Sequence, residues 1–290
     1  MLLSILLLPG SSSGQGQADS AFSVSFDNLY PVPSGCNAID LDQEENIFLL
    51  DSRRHKVHKL FAATAYDSVL TIGGKGIGSE GFNTPVKIEA KNRQSVFVLD
   101  FNNRRLLTLN TNLKVVKEIN FLELQERLLN SGENTTLFPI SFAVGPSGEL
   151  FILNQDNLKI YKLNVFGEPE SSFGGLDYGE GSLADPVDLV LNEGNFMFVS
   201  DTTNQKISVF DLYGTYQYAL FPEASFRWSG VKVAGQVLIC YSSRRIFVKN
   251  LFTKQYSELD SPSEILDLSS VRGRLFVLTG NGVGRIFLTP

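Results

Sequence analysis

The chain has 290 residues, of which 43% are apolar, with a formal net charge of −6 and a pI of about 5.1. This acidic balance argues against a nucleic-acid-binding protein, which needs a basic surface to displace counterions from the phosphates. The apolar content is ample for a packed core, and an all-β architecture of this length is compatible with a single domain.

The chain begins with an apolar run, residues 1–8, followed by Pro9-Gly10 and a stretch rich in Ser, Gly and Gln. The run is too short to span a bilayer but resembles the apolar region of a secretory signal, with Gly16-Gln17-Ala18 as a small-x-small cleavage site. The usual basic residues before it are missing, and an unstructured N-terminus is the alternative. We predict a signal over residues 1–18, a single domain over 19–290, and a periplasmic or secreted protein.

A repeated hairpin pattern organises the rest of the chain. Asp51 ends an apolar run, and five residues later Lys56 opens an alternating run. The same spacing returns in the pairs Asp100 and Arg105, Asn154 and Lys159, and Asp201 and Lys206, with weaker copies at Arg245 and Arg285. The basic residues recur every 39 to 54 positions. Such a period, with several short alternating runs per copy, is typical of a β-propeller.

Counting the runs predicts six blades. Five copies, beginning near residue 34, carry four apolar runs each, whereas the sixth carries only three, which end with Ile286-Phe287-Leu288. The alternating segment Phe22–Phe26 has no repeat of its own and can supply the missing strand. We therefore predict an N-terminal strand that closes the last blade and leaves no open sheet edges.

Three local features of the sequence add detail to the predicted propeller. Residues 122–129 have helical apolar spacing and predict a short helical insertion after blade two. Cys36 and Cys240 fall in blades one and five, which are not neighbours, so we predict two free, buried thiols. The glycines between Gly73 and Gly81 are followed by a proline and a strand instead of a helix, so they indicate a tight crossing between blades and not a phosphate-binding loop.

Two glycine-rich segments connect the hairpins to the following blades. One runs from Gly73 to Phe82 and Pro85, and the other from Gly174 to Leu183 and Pro186. Together with the Asp-x4-Lys/Arg hairpin they resemble the NHL-repeat family, whose repeat ends its glycine-rich arc in Phe-x-x-Pro. The resemblance implies an all-β, six-bladed β-propeller of NHL/YWTD-like type. It implies little about activity, because one fold hosts many functions.

The turns between second and third strands and the arcs between blades lie on one face of a propeller, where ligands usually bind. Trp228, with Arg227 beside it, is the strongest contact candidate on this face, since Trp and Arg are enriched in binding hot spots; packing between blades is the alternative. The full set of predicted binding-face residues is Arg53, Arg54, His55, Asn103, Arg104, Asn204, Phe226, Arg227, Trp228 and Arg244. The repeated acid and base of each hairpin we interpret as structural, since a catalytic group would be unique.

The sequence offers little that is typical of an enzyme. The two histidines, His55 and His58, share one hairpin and cannot supply the three ligands of a catalytic zinc ion. This disfavours the amidating-lyase branch of NHL-like propellers, and we predict neither catalytic residues nor a metal. A calcium-dependent lactonase, as in related six-bladed propellers, needs only oxygen ligands at the channel, and it stays open. The candidate ligands near inner strands are Asn37, Asp40, Glu89 and Asp188.

We therefore predict a non-catalytic, exported propeller without a cofactor, which acts as a binding or scaffold module in a bacterial envelope. Its loop-rich face would bind an envelope protein or peptide, or a glycan, and association with a membrane complex is compatible with this prediction. The alternative is the calcium-dependent lactonase-type hydrolase with its site at the central channel. RNA binding, as in some eukaryotic NHL domains, is opposed by the acidic pI and the export signal.

Overall fold

The structure is a computed structural model that describes residues 27–90, 94–222 and 227–287. These residues form six four-stranded antiparallel sheets, in which the strands follow one another in chain order except for the first. Contacts between successive innermost strands arrange the sheets as a ring around a central channel. The all-β, six-bladed propeller predicted from the sequence is confirmed.

The first three blades have the following strands. Blade 1 contains β2 (Ala38–Leu41), β3 (Ile47–Asp51), β4 (Lys56–Leu60) and β5 (Val69–Gly73). Blade 2 contains β6 (Pro85–Glu89), β7 (Ser95–Asp100), β8 (Arg105–Asn110) and β9 (Val115–Asn120), followed by the helix α1 (Phe121–Asn130). Blade 3 contains β10 (Pro139–Val144), β11 (Leu150–Asn154), β12 (Lys159–Leu163) and β13 (Pro169–Gly174).

The last three blades repeat this order. Blade 4 contains β14 (Pro186–Leu191), β15 (Phe196–Asp201), β16 (Lys206–Asp211) and β17 (Tyr216–Leu220). Blade 5 contains β18 (Gly230–Ala234), β19 (Val237–Tyr241), β20 (Arg245–Asn250) and β21 (Tyr256–Asp260). Blade 6 contains β22 (Ile265–Val271), β23 (Arg274–Thr279) and β24 (Gly282–Phe287), with β1 (Asp27–Tyr30) as its outer strand.

The antiparallel order of four strands defines two faces of the disc. A fourth strand ends on the side where the first strand of the next blade begins, so all inner strands run in one direction. We call the side that carries the turns between second and third strands and the connections between blades the arc face. The side that carries the first-to-second and third-to-fourth turns we call the turn face.

The ring is closed by strand β1. Asp27 pairs with Arg285 and Tyr30 with Val283, with a bulge between them, so β1 is the antiparallel outer neighbour of β24. The predicted N-terminal closing strand is thus present, beginning at Asp27. The segment Phe22–Phe26, to which the sequence pattern assigned it, lies outside the described residues.

The core is divided among the contacts between blades. Each of six buried apolar clusters joins the facing sides of two neighbouring sheets, including the sixth and first. Phenylalanine fills most of these spaces: Phe48, Phe142, Phe198 and Phe276 are fully buried. An isolated sheet would expose both apolar faces, so each blade depends on both of its neighbours.

The repeated hairpin acid ties each turn to the arc that precedes its blade. The carboxylate of Asp100 accepts the backbone N–H of Asn83 at 2.7 Å and pairs with Arg105 Nε at 3.1 Å. Asp201 likewise accepts the N–H of Ala184 at 2.7 Å, and the Asn154 side chain accepts that of Phe138 at 2.7 Å. The acid is therefore structural in these blades, as predicted.

The ion pair with the basic residue five positions on is less regular than the sequence suggested. Arg105 bonds Asp100 and also donates to the carbonyls of Gly78 and Gly81 at 2.9 and 2.8 Å, which fastens the glycine-rich arc. Asp51 instead pairs with Arg54, at 2.9 Å, because its turn folds that guanidinium back onto the carboxylate.

The predicted helical insertion and free thiols are confirmed. Helix α1 begins after Asn120, whose side-chain oxygen accepts the Leu122 N–H at 2.8 Å as an N-cap, and its buried residues pack into the space between blades 2 and 3. Cys36 and Cys240 are free and buried. Burial raises the pKa of each thiol to about 12, the neighbouring Asp51 adding to the effect at Cys36. Among the described residues, no helix combines the length and apolar character needed to cross a bilayer.

We expect Asp100→Ala to lower the free energy of unfolding by about 2–4 kcal/mol, because it leaves the buried Arg105 Nε and the Asn83 N–H without their acceptor, although Arg105 keeps its ion pair with Glu118 at 3.0 Å. Chemical denaturation would measure this, with Asp177→Ala on the exposed part of the arc face as the matched control. A loss no larger than that of the control would contradict the structural role of the hairpin acid.

Candidate functional site at the central channel

Each of the six inner strands contributes a polar side chain to the middle of the ring. The contributing residues are Asp40, Lys87, Ser141, Asp188, Lys232 and Asp267. Most of their neighbours along the strands are apolar and fill the clusters between blades. The channel therefore holds a compact set of charges inside an otherwise apolar structure.

The first network links blades 2, 3 and 4. Lys87 Nζ donates to Asp188 Oδ1 at 2.6 Å, to Ser141 Oγ at 2.8 Å and to the Leu189 carbonyl at 2.7 Å. The Ser141 hydroxyl in turn donates to Asp188 Oδ1 at 2.5 Å. An ammonium group has three protons, so all of the hydrogen-bonding capacity of Lys87 is used within the protein.

The second network links blades 5, 6 and 1. Lys232 Nζ lies 3.3 Å from Asp267 Oδ1, which also accepts the Tyr241 hydroxyl at 2.7 Å. The other oxygen of Asp267 accepts the Ile39 N–H at 2.9 Å. One carboxylate of blade 6 is thus bonded to both of its neighbouring blades.

Asp40 completes the set by linking blades 6, 1 and 2. Its Oδ2 accepts the Ala90 N–H at 2.7 Å, and its Oδ1 accepts the Ser269 hydroxyl. Together with the two lysine networks, these bonds link five of the six neighbouring pairs of blades through groups that are far apart in sequence. The polar residues of the channel therefore act as a seam between blades.

The electrostatics favour the charged forms. Burial alone would raise the pKa of Asp188, but Lys87, Lys232 and the hydrogen bonds outweigh it and hold this pKa below the ordinary value. Burial would lower the pKa of Lys232, but Asp267, Asp188 and Asp40 together raise it. Burial and the neighbouring Asp267 raise the pKa of Tyr241 well above its usual range. At neutral pH these shifts keep Asp188 and Lys232 charged and Tyr241 protonated.

Little space remains between these groups. A cavity bordered by Asp40, Lys87, Glu89, Lys232 and Ser269 leaves about 20 Å³ for the centres of water molecules. A single water needs roughly 10–15 Å³ by this measure. This part of the channel has room for water.

The structure brings together only part of the oxygen ligands that the sequence suggests for calcium. Of the four oxygen ligands suggested by the sequence, Asp40, Glu89 and Asp188 belong to inner strands, whereas the Asn37 side chain accepts the Ser52 N–H at 3.0 Å in the arc-face turn. Calcium requires six to eight oxygens, yet the ammonium of Lys87 already bonds the Asp188 carboxylate. Across the described ranges, no group of three or more His, Cys, Asp or Glu could hold a metal ion.

Neither histidine is on an inner strand. His55 Nδ1 accepts the Thr84 N–H at 2.9 Å, which fastens the blade 1 turn to the next arc. His58, in β4, is buried and shares a 2.8 Å hydrogen bond with the Thr71 hydroxyl, and burial lowers its pKa. The two rings do not converge on the channel, in agreement with their spacing in the sequence.

Several residues of the predicted binding face have structural partners in the turns. Asn103 donates to the Asp100 carboxylate at 2.7 Å and to the Gly76 carbonyl at 2.9 Å. Arg104 donates to Gln125 and to the Leu137 carbonyl, both at 2.7 Å. The Asn204 side chain donates to Asp201 at 2.9 Å. These three side chains hold turns and arcs in place.

The cationic candidates are the more accessible ones. Arg53, Arg227 and Arg244 are exposed, and Arg54 is exposed although it pairs with Asp51. Trp228 is only 7% exposed and packs between blades 4 and 5, as in the alternative interpretation of this residue. Phe226 lies outside the described residues. Arginines therefore remain available for contacts on the arc face, whereas the tryptophan does not.

The lysines of the channel were not predicted from the sequence as functional residues. Lys87 lies between Val86 and Ile88, and Lys232 between Val231 and Val233. A single charge in the middle of a short apolar inner strand is the signal that could have revealed them, because a charge is rarely buried without a partner.

Comparisons with known proteins agree with the fold. No protein-family model matches the chain, and no curated protein matches it. Among solved structures, a streptogramin B lyase is similar with a TM-score of 0.61 and 13% identity, over 92% of this chain and 98% of that chain. The virginiamycin B lyase from Staphylococcus aureus is similar with a TM-score of 0.62 and 11% identity, over 93% and 100%.

A gluconolactonase from Xanthomonas campestris is similar with a TM-score of 0.64 and 12% identity, over 92% of this chain and 90% of that chain. At such low identity these likenesses establish the six-bladed propeller fold and nothing about chemistry. The neighbours named here are enzymes, so the fold by itself does not favour a non-catalytic role.

We expect Lys87→Met to lower the free energy of unfolding at neutral pH by about 3 kcal/mol, because Asp188 then lacks its nearest counter-charge. In the wild type, the depressed pKa of Asp188 contributes stability above the unfolded value of about 3.9, and this contribution is lost as the pH falls through the folded pKa. In the Lys87→Met variant, burial of the unpaired Asp188 carboxylate raises its pKa. Acid then protonates this carboxylate, and the loss of stability caused by its buried charge disappears.

The difference in the free energy of unfolding between the wild type and Lys87→Met should therefore become smaller as the pH falls towards about 4. Urea denaturation over a pH series would measure it, with Lys114→Met on the exposed blade 2 turn as the matched control. A difference that is independent of pH would indicate lost packing instead of a lost ion pair.

Proposed function

We propose that this protein is a non-catalytic binding or scaffold propeller of the NHL-repeat type, exported to the bacterial cell envelope, whose arc face binds a protein, a peptide or a glycan. The observation that carries the proposal is that lysines and aspartates of the channel pair with one another. Lys87 with Asp188, and Lys232 with Asp267, use their charges on one another, at the position where a propeller enzyme would need free groups.

The arc face has the composition of a contact surface. It displays exposed apolar side chains, among them Ile77, Leu176 and Phe221, together with the exposed arginines Arg53, Arg227 and Arg244. Apolar groups mixed with arginine are typical of binding surfaces, since the guanidinium is weakly hydrated and offers several donors. The turns that hold these residues are fixed by hydrogen bonds, which lowers the entropic cost of binding.

The NHL-repeat assignment is supported by the way hairpin and arc are joined. Asp100 and Arg105 together bond the arc backbone at Asn83, Gly78 and Gly81. This explains physically why an acid, a base and a glycine-rich arc should occur together in one repeat. Export to the envelope is supported by the apolar run of residues 1–8.

The second candidate is a calcium-dependent lactonase-type hydrolase with its site at the channel. It is favoured by the fold similarity to a gluconolactonase and by four carboxylates, Asp40, Glu89, Asp188 and Asp267, near the inner strands. It would require Lys87 and Lys232 to move away from Asp188 and Asp267 so that the carboxylates become available to the ion.

Calcium distinguishes the two candidates. For a scaffold we expect an unchanged melting temperature when calcium is added or removed with a chelator, because Asp188 and Asp267 are already paired with Lys87 and Lys232. For the hydrolase, calcium should raise the melting temperature, and Asp188→Asn should abolish that response. Differential scanning calorimetry of the chelator-treated protein would measure this, with Asp177→Asn as the control variant. A saturable stabilisation by calcium would contradict the scaffold proposal.

The arc face itself is tested by capture from the envelope fraction of the source bacterium. We expect the tagged protein to retain a stoichiometric partner, identified by mass spectrometry for a protein or peptide and by glycan analysis for a sugar. Arg53→Glu/Arg227→Glu/Arg244→Glu should abolish capture, because the exposed cations of this face are reversed in charge. Lys114→Glu/Arg272→Glu on the turn face is the matched control. Equal capture by both variants would contradict the assignment of the face.

A further inference from the structure

Three exposed aromatic rings occupy the same position in three successive blades of the turn face. Phe166, Tyr213 and Phe252 lie in the third-to-fourth turns of blades 3, 4 and 5, and their exposed fractions are 77%, 84% and 80%. We call these residues the aromatic tips. Isolated exposed apolar residues are ordinary on protein surfaces, but a repeated one calls for an explanation.

The turns that carry the aromatic tips are closed by the same side-chain device. The side-chain oxygens of Asn164, Asp211 and Asn250 each accept the N–H of the tip residue two positions on, at 2.9 Å in every case. This Asx turn fixes the backbone and directs the ring away from the sheet. In blade 4, Gly214 follows the ring with φ +86°, and an added Cβ would lie 2.4 Å from Phe173. The backbone of the blade 4 turn thus packs against Phe173, whereas the Tyr213 ring is exposed.

Blade 2 shows that the fold does not need an aromatic residue here. Its turn has the same construction, with the Asn110 oxygen accepting the Asn112 and Lys114 N–H groups at 3.0 Å. The residue at the tip position is the exposed Asn112. The rings of blades 3 to 5 therefore serve something other than closing the turn.

Further apolar surface and cations accompany the tips. Val165, Phe196 and Tyr256 are exposed on the same side of the same blades. Lys117 Nζ bonds the Val165 carbonyl at 2.8 Å, Lys162 Nζ lies 5.7 Å from the Tyr213 ring centroid, and Lys254 is two residues from Phe252. Each aromatic tip thus has an ammonium group beside it. Acidic residues are also present: Glu168 follows the blade 3 tip and Glu170 pairs with Lys162 at 3.3 Å.

The arrangement indicates what kind of partner covers it. Equivalent turns of blades related by one axis lie at similar height, so the three exposed rings share one side of the disc along three successive blades. Such tips fit a broad, deformable surface better than a peptide, which would need a groove. Aromatic rings with lysines beside them are the combination found at the interface between lipid headgroups and acyl chains.

We propose that the turn face adsorbs to a phospholipid bilayer, with Phe166, Tyr213 and Phe252 inserted among the headgroups. The rings supply the apolar contact and the adjacent lysines contact lipid phosphates. Because the protein carries a net charge of −6, an anionic bilayer would repel it as a whole, and we therefore assign binding to the apolar contact of the rings with a zwitterionic bilayer. The opposite arc face then points away from the membrane.

The proposal is tested with the full chain and phosphatidylcholine vesicles, in a sedimentation assay. Phe166→Asn/Tyr213→Asn/Phe252→Asn copies the blade 2 turn three times and keeps the Asx acceptors, so the fold is retained. Each lost ring should weaken partitioning about tenfold. The matched control, Ile77→Asn/Leu176→Asn/Phe221→Asn, removes exposed apolar residues from the arc face and should bind like the wild type. Thermal unfolding of all three proteins checks that they are folded.

A second readout separates the tips from any adsorption through residues 1–8. Phe166→Trp should be quenched by brominated lipid, after subtraction of the Trp228 signal of the parent protein, whereas Ile77→Trp should not. Equal quenching at the two positions, or none at either, would overturn the proposal. So would a wild-type protein that ignores vesicles but forms a dimer or a protein complex that the triple tip variant cannot form.

Discussion

The structure depends on one constraint: no blade can bury its two apolar faces alone. Each sheet shares one apolar cluster with the preceding blade and another with the next, and the sixth blade shares one with the first. The ring must therefore be closed, and closure is made by backbone pairing of Asp27–Tyr30 with the last strand of the chain. Everything on the two faces of the disc, including the turns and arcs, is supported by that closed core.

The central channel places a second constraint on this architecture, because charged side chains meet there. The inner strands meet around an axis where charged side chains are largely removed from water, and the chain places opposite charges on different blades to pair with them. Lys87 and Asp188 are 101 positions apart in sequence and yet 2.6 Å apart in space. Such pairs give modest net stability but strong penalties when one member is lost. We interpret these ion pairs as structural contacts that fix the positions of neighbouring blades. Binding is then a role of the arc face and the turn face.

Much of this could be read from the sequence because the decisive signals were local. The acid and base of the Asp100 hairpin lie five residues apart, and the cap of α1 is adjacent to its helix, so the blades and the insertion could be predicted from short windows. The closing strand was predicted from an alternating pattern at 22–26, which lies outside the described residues, and the structure shows the closing pairing with β24 over Asp27–Tyr30.

The channel network could not be predicted in the same way, because its members come from six different blades. Nothing near Lys87 in the sequence identifies Asp188 as its partner. Trp228 illustrates the same limit, since only the packing of blades 4 and 5 determines that the ring is buried. The aromatic tips were missed because their significance lies in the comparison of equivalent turns, which requires the strand boundaries.

The central claim, that the channel is a structural seam of ion pairs, is tested most directly by titrating Asp188 itself. Carbon-13 NMR of the side-chain carboxyl, assigned with Asp188→Asn, would give its pKa in the folded protein. We predict a pKa below the ordinary value of about 3.9, as required by the contact with Lys87 and by the nearby charge of Lys232. A pKa raised above that value would describe a carboxyl free to act as an acid or a ligand, and would contradict the account.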